Sequence, residues 1–193
     1  MITFIVSTYN KSLQLMTCIT SLLVQNVAKE IIICDNSDNP TSIQGNEGIV
    51  SIAPSIIRRI DTSTVEPKHF ASYATANSVY EEAKGEWLCF PSDDSYYVPG
   101  FAEIMLEHAT RFDRDLVYCD FIYDPRYNGC YYQVVQAAPI ARCIDKTIFL
   151  VKKEFFKGFE LEDTTWCDWL TFKSIIDSGA NHGHVPGVMV VHN

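Results

Sequence analysis

Several patterns that mark well-known enzyme classes are missing from this 193-residue sequence. No glycine-rich GxGxxG motif follows the first apolar run, and there is neither a P-loop nor a GxSxG motif. The seven cysteines form no CxxC pair, and no set of cysteine and histidine has the spacing of a zinc site. These absences exclude a dinucleotide fingerprint, a P-loop NTPase, a serine-hydrolase nucleophile elbow and a structural zinc module.

Positive charge and long apolar runs are also scarce. Fifteen Lys and Arg residues against 24 Asp and Glu give a net charge of -9, so we expect no nucleic-acid partner. No stretch approaches the ~18 apolar residues of a membrane span, and the N-terminus lacks the pattern of a signal peptide. Cys34, Cys89 and Cys119 lie in apolar runs, which favours reduced thiols and a cytoplasmic location. Peripheral membrane association and a homodimer stay open.

Apolar residues make up 47% of the chain, which is enough for one domain with a real core. Apolar runs at residues 2–6 and 30–34 flank a helical pattern at 12–25, which predicts a βαβ unit with parallel strands. The sequence therefore predicts an α/β fold with a mostly parallel, Rossmann-like central sheet flanked by helices. The regular half covers about residues 1–95, and a more irregular half covers about 96–193.

The sequence patterns that predict the remaining helices, strands and loops are weaker. Residues 41–55 are predicted to form a loop and 125–129 to form turns. Further helices are predicted at 70–83, from Pro99 to about 111, and at 165–177. Further strands are predicted at 56–60, 87–90, 115–121, 131–135, 147–151 and 185–191.

Two adjacent carboxylates follow a short apolar strand. Ser92, Asp93 and Asp94 come directly after residues 87–90, at the edge where ligands of open α/β sheets bind. Buried carboxylates need a cationic partner, and a divalent metal prefers such hard oxygen ligands. Asp and Ser also favour turns and helix starts, so a polar turn is an equally direct interpretation of these residues alone.

The segments, in order, resemble family 2 glycosyltransferases with the A-type (GT-A) nucleotide-diphospho-sugar transferase fold. Residues 5–10, 18–25, 33–37 and 76–88 resemble the family's opening strand and loop, first helix, second strand end and following helix. The group Ser92-Asp93-Asp94 resembles the metal-binding DxD region, in the form seen in the spore-coat polysaccharide type. Residues 167–170 resemble the helix start that carries the catalytic base, and residues 185–192 resemble the closing strand with its histidine.

The resemblance implies a metal-dependent, inverting glycosyltransferase (a hexosyltransferase type) acting in polysaccharide biosynthesis. It implies Mn²⁺ or Mg²⁺ as cofactor, a nucleoside-diphosphate sugar as donor, with UDP or TDP sugars favoured, and a glycan or lipid-linked acceptor. The implied metal residues are Asp94, Asp93 and His192. The implied nucleotide-sugar residues are Thr8, Tyr9, Asn10, Asp35, Asn77, Ser92 and Asp93.

Asp168 is the implied catalytic base, and Asp163 is the second choice. Each of these residues also has a plainer interpretation. Asp168 could be a helix-start carboxylate that only satisfies backbone donors, Asp35 an Asx turn and Asn77 a polar cap inside the protein. His192 alone would more often be an exposed residue. Trp166 and Trp169 could stack on a sugar or pack in the core.

The sequence departs from the family pattern at two places. Pro91 stands where the family often has an Asp, and Cys167 stands where a Glu often precedes the base. Two rival functions follow: a non-catalytic nucleotide-sugar-binding module of a larger assembly, and a sugar nucleotidyltransferase. The second rival usually has a Gly-rich loop after the first strand, where this chain has residues 7–11. We expect the chain to be a catalytic core or one module of a longer protein.

Overall fold

The computed structural model describes residues 1–37, 55–62, 64–65, 71–123, 132–161 and 166–192. The predicted turns at 125–129 and most of the predicted loop at 41–55 lie outside these residues, as do Phe70 and Tyr131. The strands are β1 (Ile2–Thr8), β2 (Lys29–Asp35), β3 (Ser55–Asp61), β4 (Trp87–Cys89), β5 (Ser95–Tyr97), β6 (Leu116–Tyr123), β7 (Gln133–Val135), β8 (Phe149–Lys152) and β9 (His182–His192). The helices are α1 (Ser12–Leu23), α2 (Ala71–Val79), α3 (Phe101–Arg111) and α4 (Cys167–Asp177).

The described strands form one mixed sheet with the order β3-β2-β1-β4-β8-β6-β9-β5, and β7 pairs with β6. In the first half of the chain β3, β2, β1 and β4 are all parallel. Beyond β4 the pairing is mixed: β8 is antiparallel to both β4 and β6, and β9 is parallel to β6. The predicted α/β class is therefore confirmed, and the first half of the chain contains most of the parallel pairing.

Strands β1, β2 and β4 are buried on both faces, which explains why they appear in the sequence as unbroken apolar runs. Every residue of β1 and of β2 is buried. The segment before β4 approaches β1 very closely, because a Cβ at Gly85 would lie 2.5 Å from the backbone nitrogen of Thr3. Only glycine allows that approach. The approach sets β4 beside β1, and their C-terminal ends open on the same edge of the sheet.

Two local predictions need correction. Pro99 is not the first residue of its helix, because α3 begins at Phe101 and Gly100 is its N-cap with a φ of 90°. That left-handed conformation suits glycine, so the chain turns at Gly100 before the helix starts. The predicted last strand is longer than expected, since β9 starts at His182 and passes through Pro186 and Gly187 by an irregularity in its pairing with β6.

The helices cover the sheet, and α2 lies against β1 while α3 lies against β6 and β9. An aromatic cluster fills the space behind the end of β4: the ring of Phe90 lies 4.5 Å from that of Phe156 and 4.8 Å from that of Phe159. Within the described ranges, no helix has the length and apolar character needed to cross a membrane.

Candidate active site

A cavity of about 350 Å³ opens at the C-terminal edge of β1, β2 and β4. This donor cavity, as we call it, is lined by Ser7, Thr8, Tyr9, Lys11, Asn36, Ser72, Thr75, Ser92, Asp93, Asp94 and His192. Its position follows from the topology, because parallel strands leave their polar C-terminal loops together at one edge. Of the predicted site residues, Thr8, Tyr9, Ser92, Asp93, Asp94 and His192 meet here.

Asp93 joins the loop after β4 to the end of β1. Its carboxylate accepts a hydrogen bond from the backbone N–H of Tyr9 at 3.3 Å, and a second from the side chain of Thr8. The residue is only 6% exposed. Burial raises the pKa of Asp93 above its ordinary value, and the positive charge of Lys11 works against that rise. Asp93 therefore helps to hold the site together as well as lining it.

Asp94 forms an ion pair with Lys11 inside the cavity. The Nζ of Lys11 lies 2.6 Å from Asp94 Oδ2 and 3.6 Å from Asp93 Oδ1. Both carboxylates are largely buried, whereas the Lys11 side chain is partly exposed. The ammonium of Lys11 thus lies within ion-pair distance of both carboxylates.

His192 reaches the donor cavity from the end of β9, where it pairs with Ser95 of β5. Its Nδ1 lies 3.3 Å from Ser95 Oγ and 3.8 Å from Asp145 Oδ1. The ring of Tyr123 stacks on the imidazole. His192 is therefore packed in place rather than exposed, and it connects the cavity to Asp145.

Asp35 does not line the donor cavity, whereas the next residue, Asn36, does. The Oδ1 of Asp35 accepts the backbone N–H of Ser37 at 2.8 Å, and its Oδ2 forms an ion pair with Arg59. Asp35 is only 1% exposed. Asn10, with a left-handed φ of 54°, donates its backbone N–H to Ser37 Oγ. The contact of Asp35 and Asn10 with a nucleotide stays a prediction.

The side chain of Asn77 binds the backbone of Phe159, in the segment that precedes α4. Its side-chain Nδ2 donates to the carbonyl of Phe159 at 2.9 Å, and its Oδ1 accepts the backbone N–H of Phe159 at 2.6 Å. This two-bond clamp fits the interpretation of Asn77 as a polar cap inside the protein. Asn77 does not line the donor cavity, and its contact with a nucleotide stays a prediction.

Asp168 lies in a second cavity of about 250 Å³, which we call the acceptor cavity. The cavity is lined by Tyr73, Arg142, Ile144, Trp166, Cys167, Asp168 and Trp169. Asp168 stands in the first turn of α4, as predicted. Helix α2 contributes to both cavities, because Ser72 and Thr75 line the donor cavity and Tyr73 lines the acceptor cavity.

The environment of Asp168 favours a proton acceptor near neutral pH. Burial, reinforced by the charge of Asp145, raises the pKa of Asp168 to about 7. The hydroxyl of Tyr73 and the backbone N–H of Lys146 donate hydrogen bonds to the carboxylate and oppose that rise. Its Oδ1 is buried and has no hydrogen-bond partner among the described residues. The carboxylate thus has one oxygen whose hydrogen-bonding capacity is not used by the described residues.

The structure adds four residues that sequence reasoning did not select: Lys11, Asn36, Tyr73 and Asp145. Lys11 carried a signal, since a cation at the start of a helix is unusual. Tyr73 and Asp145 gave none, because their relation to Asp168 depends on contacts between distant segments. The second choice for the base, Asp163, lies outside the described residues.

The described residues contain no group of three or more His, Cys, Asp or Glu side chains placed to hold a metal ion. The pair Asp93 and Asp94 still fits a cation, because Lys11 already places one positive charge against both carboxylates. An ion at this place would need further ligands from a bound molecule or from water.

Comparison with known proteins gives a consistent result. The model of the family "Glycosyl transferase family 2" matches residues 3–179 of the chain. No curated protein matches the sequence. Among solved structures, S. aureus TarS 1-349 is similar with a TM-score of 0.74 at 15% identity, covering 100% of this chain and 60% of that one.

Two further structures are similar and contain ligands. The complex of S. aureus TarS 1-349 with UDP-GlcNAc has a TM-score of 0.72 at 15% identity, covering 98% of this chain and 57% of that one. The mannosyltransferase PcManGT from Pyrobaculum calidifontis, in complex with GDP-Man and Mn²⁺, has a TM-score of 0.64 at 17% identity. It is matched over 99% of this chain and 56% of its own. The chain thus spans about 60% or less of these proteins.

Proposed function

The chain belongs to glycosyl transferase family 2 and is a glycosyltransferase, and from this premise we propose the reaction that it catalyses. It transfers a sugar from a nucleoside-diphosphate sugar to a hydroxyl of a glycan or lipid-linked acceptor, with inversion at the anomeric carbon. The observation that carries the proposal is the meeting of Asp93, Asp94 and His192 with the end of β1 at one cavity. The carboxylate of Asp168 lies in the cavity that shares helix α2.

The donor cavity is suited to a nucleoside diphosphate. In our proposal Thr8, Tyr9 and Asn36 contact the nucleoside, with Tyr9 stacking on the base, and Ser92 and Asp93 contact the ribose. UDP and TDP sugars are the favoured donors. The similarity to a structure that holds UDP-GlcNAc supports this choice of ligand class. The predicted contacts of Asp35 and Asn10 with the nucleotide remain part of the proposal, and Asn77 holds the backbone of Phe159.

A divalent cation, Mn²⁺ or Mg²⁺, fits the acidic pair. Asp94 would be its direct protein ligand, Asp93 would bind it directly or through water, and His192 would add a third contact. When bound, the ion would act as a Lewis acid that stabilises the charge growing on the leaving diphosphate. The similarity to a mannosyltransferase structure that contains Mn²⁺ supports the proposal.

Asp168 is the base in this mechanism. Its carboxylate takes the proton of the acceptor hydroxyl while the hydroxyl oxygen forms a bond to the anomeric carbon of the donor sugar. The bond between that carbon and the β-phosphate oxygen breaks, and the nucleoside diphosphate leaves with both electrons. Trp166 and Trp169 exclude water around the carboxylate and offer faces on which an acceptor sugar can stack.

Two wider parts of the proposal follow. Residues from about 1 to 95 bind the donor, and residues from about 96 to 193 carry the acceptor side, in a pathway of polysaccharide synthesis. The six cysteines in the described ranges are all free thiols, which supports a reducing, cytoplasmic setting.

Calorimetry with UDP, TDP, GDP and CDP, each with and without Mn²⁺, tests the donor site directly. We expect UDP or TDP to bind, with an affinity that rises when Mn²⁺ is present. Transfer from the matching sugar nucleotide to an acceptor, followed by NMR of the product anomer, then tests inversion. Absence of metal-dependent binding of all four nucleotides, or retention of configuration, would refute the corresponding part of the proposal.

A further inference from the structure

Lys11 stands at an unusual place for a cation. It is the N-cap of α1, and its side chain cannot accept the hydrogen bonds that capping residues normally accept. The first turn of α1 also contains no acidic residue. A helix start carries partial positive charge, so a lysine there is electrostatically unfavourable unless an anion lies nearby. The sequence therefore places extra positive charge at one end of the donor cavity.

The anions that meet this charge are the two carboxylates of the cavity. The Nζ of Lys11 lies 2.6 Å from Asp94 Oδ2 and within ion-pair distance of Asp93 Oδ1. Asp94 Oδ2 is thus paired with a cation that the chain itself supplies. An ammonium and a divalent ion compete for the same carboxylate oxygen, because like charges repel strongly at such a separation in a partly buried site.

We propose that Lys11 is an exchangeable counter-cation of the donor site. In the donor-free protein its ammonium neutralises Asp93 and Asp94 and blocks a metal ion from binding alone. When the nucleoside diphosphate arrives, the ammonium leaves Asp93 and Asp94 and moves to the diphosphate oxygens, so that the two carboxylates would be able to hold the divalent ion of the donor. Ion and donor therefore bind together rather than separately. This inference rests on the proposed donor site and adds the residue that controls its loading.

The side chain and its surroundings allow that exchange. A lysine has a flexible four-carbon stem and a compact charge, so its ammonium can move several ångströms without moving the backbone. Lys11 lines the same cavity as Ser92, Asn36 and His192, so the ammonium stays within that cavity when it leaves Asp94. The start of α1, beside which it stands, attracts phosphate oxygens as well.

Calorimetry and thermal shift on the whole chain test the exchange, with Mn²⁺ alone, UDP alone and UDP with Mn²⁺ as probes. The variants are Lys11→Met, which keeps the apolar stem, and Lys173→Met as matched control. Lys173 forms an exposed ion pair with Asp177 on α4 and lies outside the donor cavity. The substitution Lys173→Met therefore removes the same charge as Lys11→Met but leaves the proposed site unchanged.

We expect Lys11→Met to bind Mn²⁺ alone about tenfold more tightly than the wild type and to gain thermal stability from Mn²⁺. We expect the same variant to bind UDP with Mn²⁺ about tenfold more weakly, because the diphosphate has lost an ammonium. Lys173→Met should match the wild type in all three titrations.

Unchanged affinity of Lys11→Met for Mn²⁺ alone would overturn the blocking role, and unchanged affinity for UDP with Mn²⁺ would overturn the move to the diphosphate. Should Lys11→Met not fold, Lys11→Gln replaces it with the same expectations. The titration with Mn²⁺ alone tests the blocking role of Lys11 independently of whether the nucleotide binds. A wild type that binds no nucleotide under any condition refutes the proposed donor site instead.

Discussion

The hydroxyl of Tyr73, on α2, donates a hydrogen bond to the carboxylate of Asp168, on α4. The two helices are distant in the sequence, and the bond joins the proposed base to α2, the helix that contributes to both cavities. Burial and the nearby carboxylate of Asp168 raise the pKa of Tyr73, so its hydroxyl stays protonated and remains a donor at neutral pH. The proton that Asp168 would take must therefore come from a ligand and not from Tyr73.

Replacing Asp168 by Asn should remove the base while keeping the shape of the acceptor cavity. We expect kcat to fall about 10²- to 10⁴-fold, because that is the usual contribution of a positioned general base. Affinity for UDP with Mn²⁺ should stay unchanged, since Asp168 does not line the donor cavity. Steady-state kinetics and calorimetry provide the two measurements. Asp177→Asn, the same substitution at the exposed end of α4, is the control. A wild-type turnover rate in Asp168→Asn would reject the assignment of the base.

The pH dependence of transfer should report the raised pKa of Asp168. A base acts only when ionised, so we expect kcat/KM to rise with pH, with an acid limb centred near the pKa of about 7. A carboxylate with its ordinary pKa would place that limb near pH 4. Initial rates between pH 5 and 9 decide between the two. A rate independent of pH across this range would contradict the environment that we describe for Asp168.

Tyr73→Phe should move this acid limb. The hydrogen bond from Tyr73 stabilises the ionised carboxylate, so its loss should raise the pKa of Asp168 further and shift the limb to higher pH. The effect of a purely structural tyrosine would be a uniform loss of rate at all pH values. Tyr80→Phe, which removes a hydroxyl that contacts exposed Glu81, serves as the matched control. A limb at the wild-type position in Tyr73→Phe would show that the bond does not tune the base.

How far the sequence predicts this molecule depends on the range of the contacts involved. Strands β1 and β2 are recognisable because each is buried on both faces and therefore unbroken in its apolar run. Strand β5 was not predicted, since its three residues alternate between buried and exposed within a polar loop and its partner β9 lies far along the chain. A short strand of this kind is defined by its partner and not by its own sequence.

The residues of the candidate site also differ in whether the sequence could predict them, depending on the range of their contacts. Asp93, Asp94 and Ser92 could be selected because they directly follow a strand, and strand ends meet at one edge of a parallel sheet. Asp145 could not, because it lies in the irregular half and its importance comes from His192, 3.8 Å away. For Asn77 the sequence allowed two interpretations equally, a nucleotide contact and a polar cap inside the protein, and the structure shows that its amide holds the backbone of Phe159.

Asn77→Ala should therefore affect stability more than donor binding. The substitution removes two hydrogen bonds to the backbone of Phe159 and leaves its N–H and carbonyl without those partners. We expect a loss of about 1–3 kcal/mol in the free energy of unfolding, measured by denaturant titration. Ser78→Ala, which removes only a local bond to Thr75, should cost much less. A large loss of UDP affinity with normal stability would instead support the predicted nucleotide contact.

Asp120 gives the last prediction, because it holds the irregular part of β9 that leads to His192. Its Oδ1 accepts the backbone N–H of Ala137 at 2.9 Å and contacts His184 Nε2 at 2.7 Å, and its Oδ2 accepts the N–H of Gly187 at 3.0 Å. Burial alone would raise the pKa of Asp120, but these donors outweigh it and lower the pKa below its ordinary value. The ionised form is therefore favoured by folding.

A carboxylate whose pKa is lowered by folding stabilises the protein above its unfolded pKa, and this contribution disappears as the pH falls through the folded pKa. We expect Asp120→Asn to lower the free energy of unfolding by about 1–3 kcal/mol at pH 7. The difference between the variant and the wild type should shrink as the pH falls from the ordinary carboxyl pKa of about 4 towards the lower folded pKa, because the unfolded chain then binds a proton that the folded carboxylate does not. Thermal denaturation at pH 7 and at pH 3 measures both values, with Asp113→Asn in an exposed turn as the control. A destabilisation that is equal at the two pH values would show that the charge of Asp120 contributes nothing and that only its shape matters.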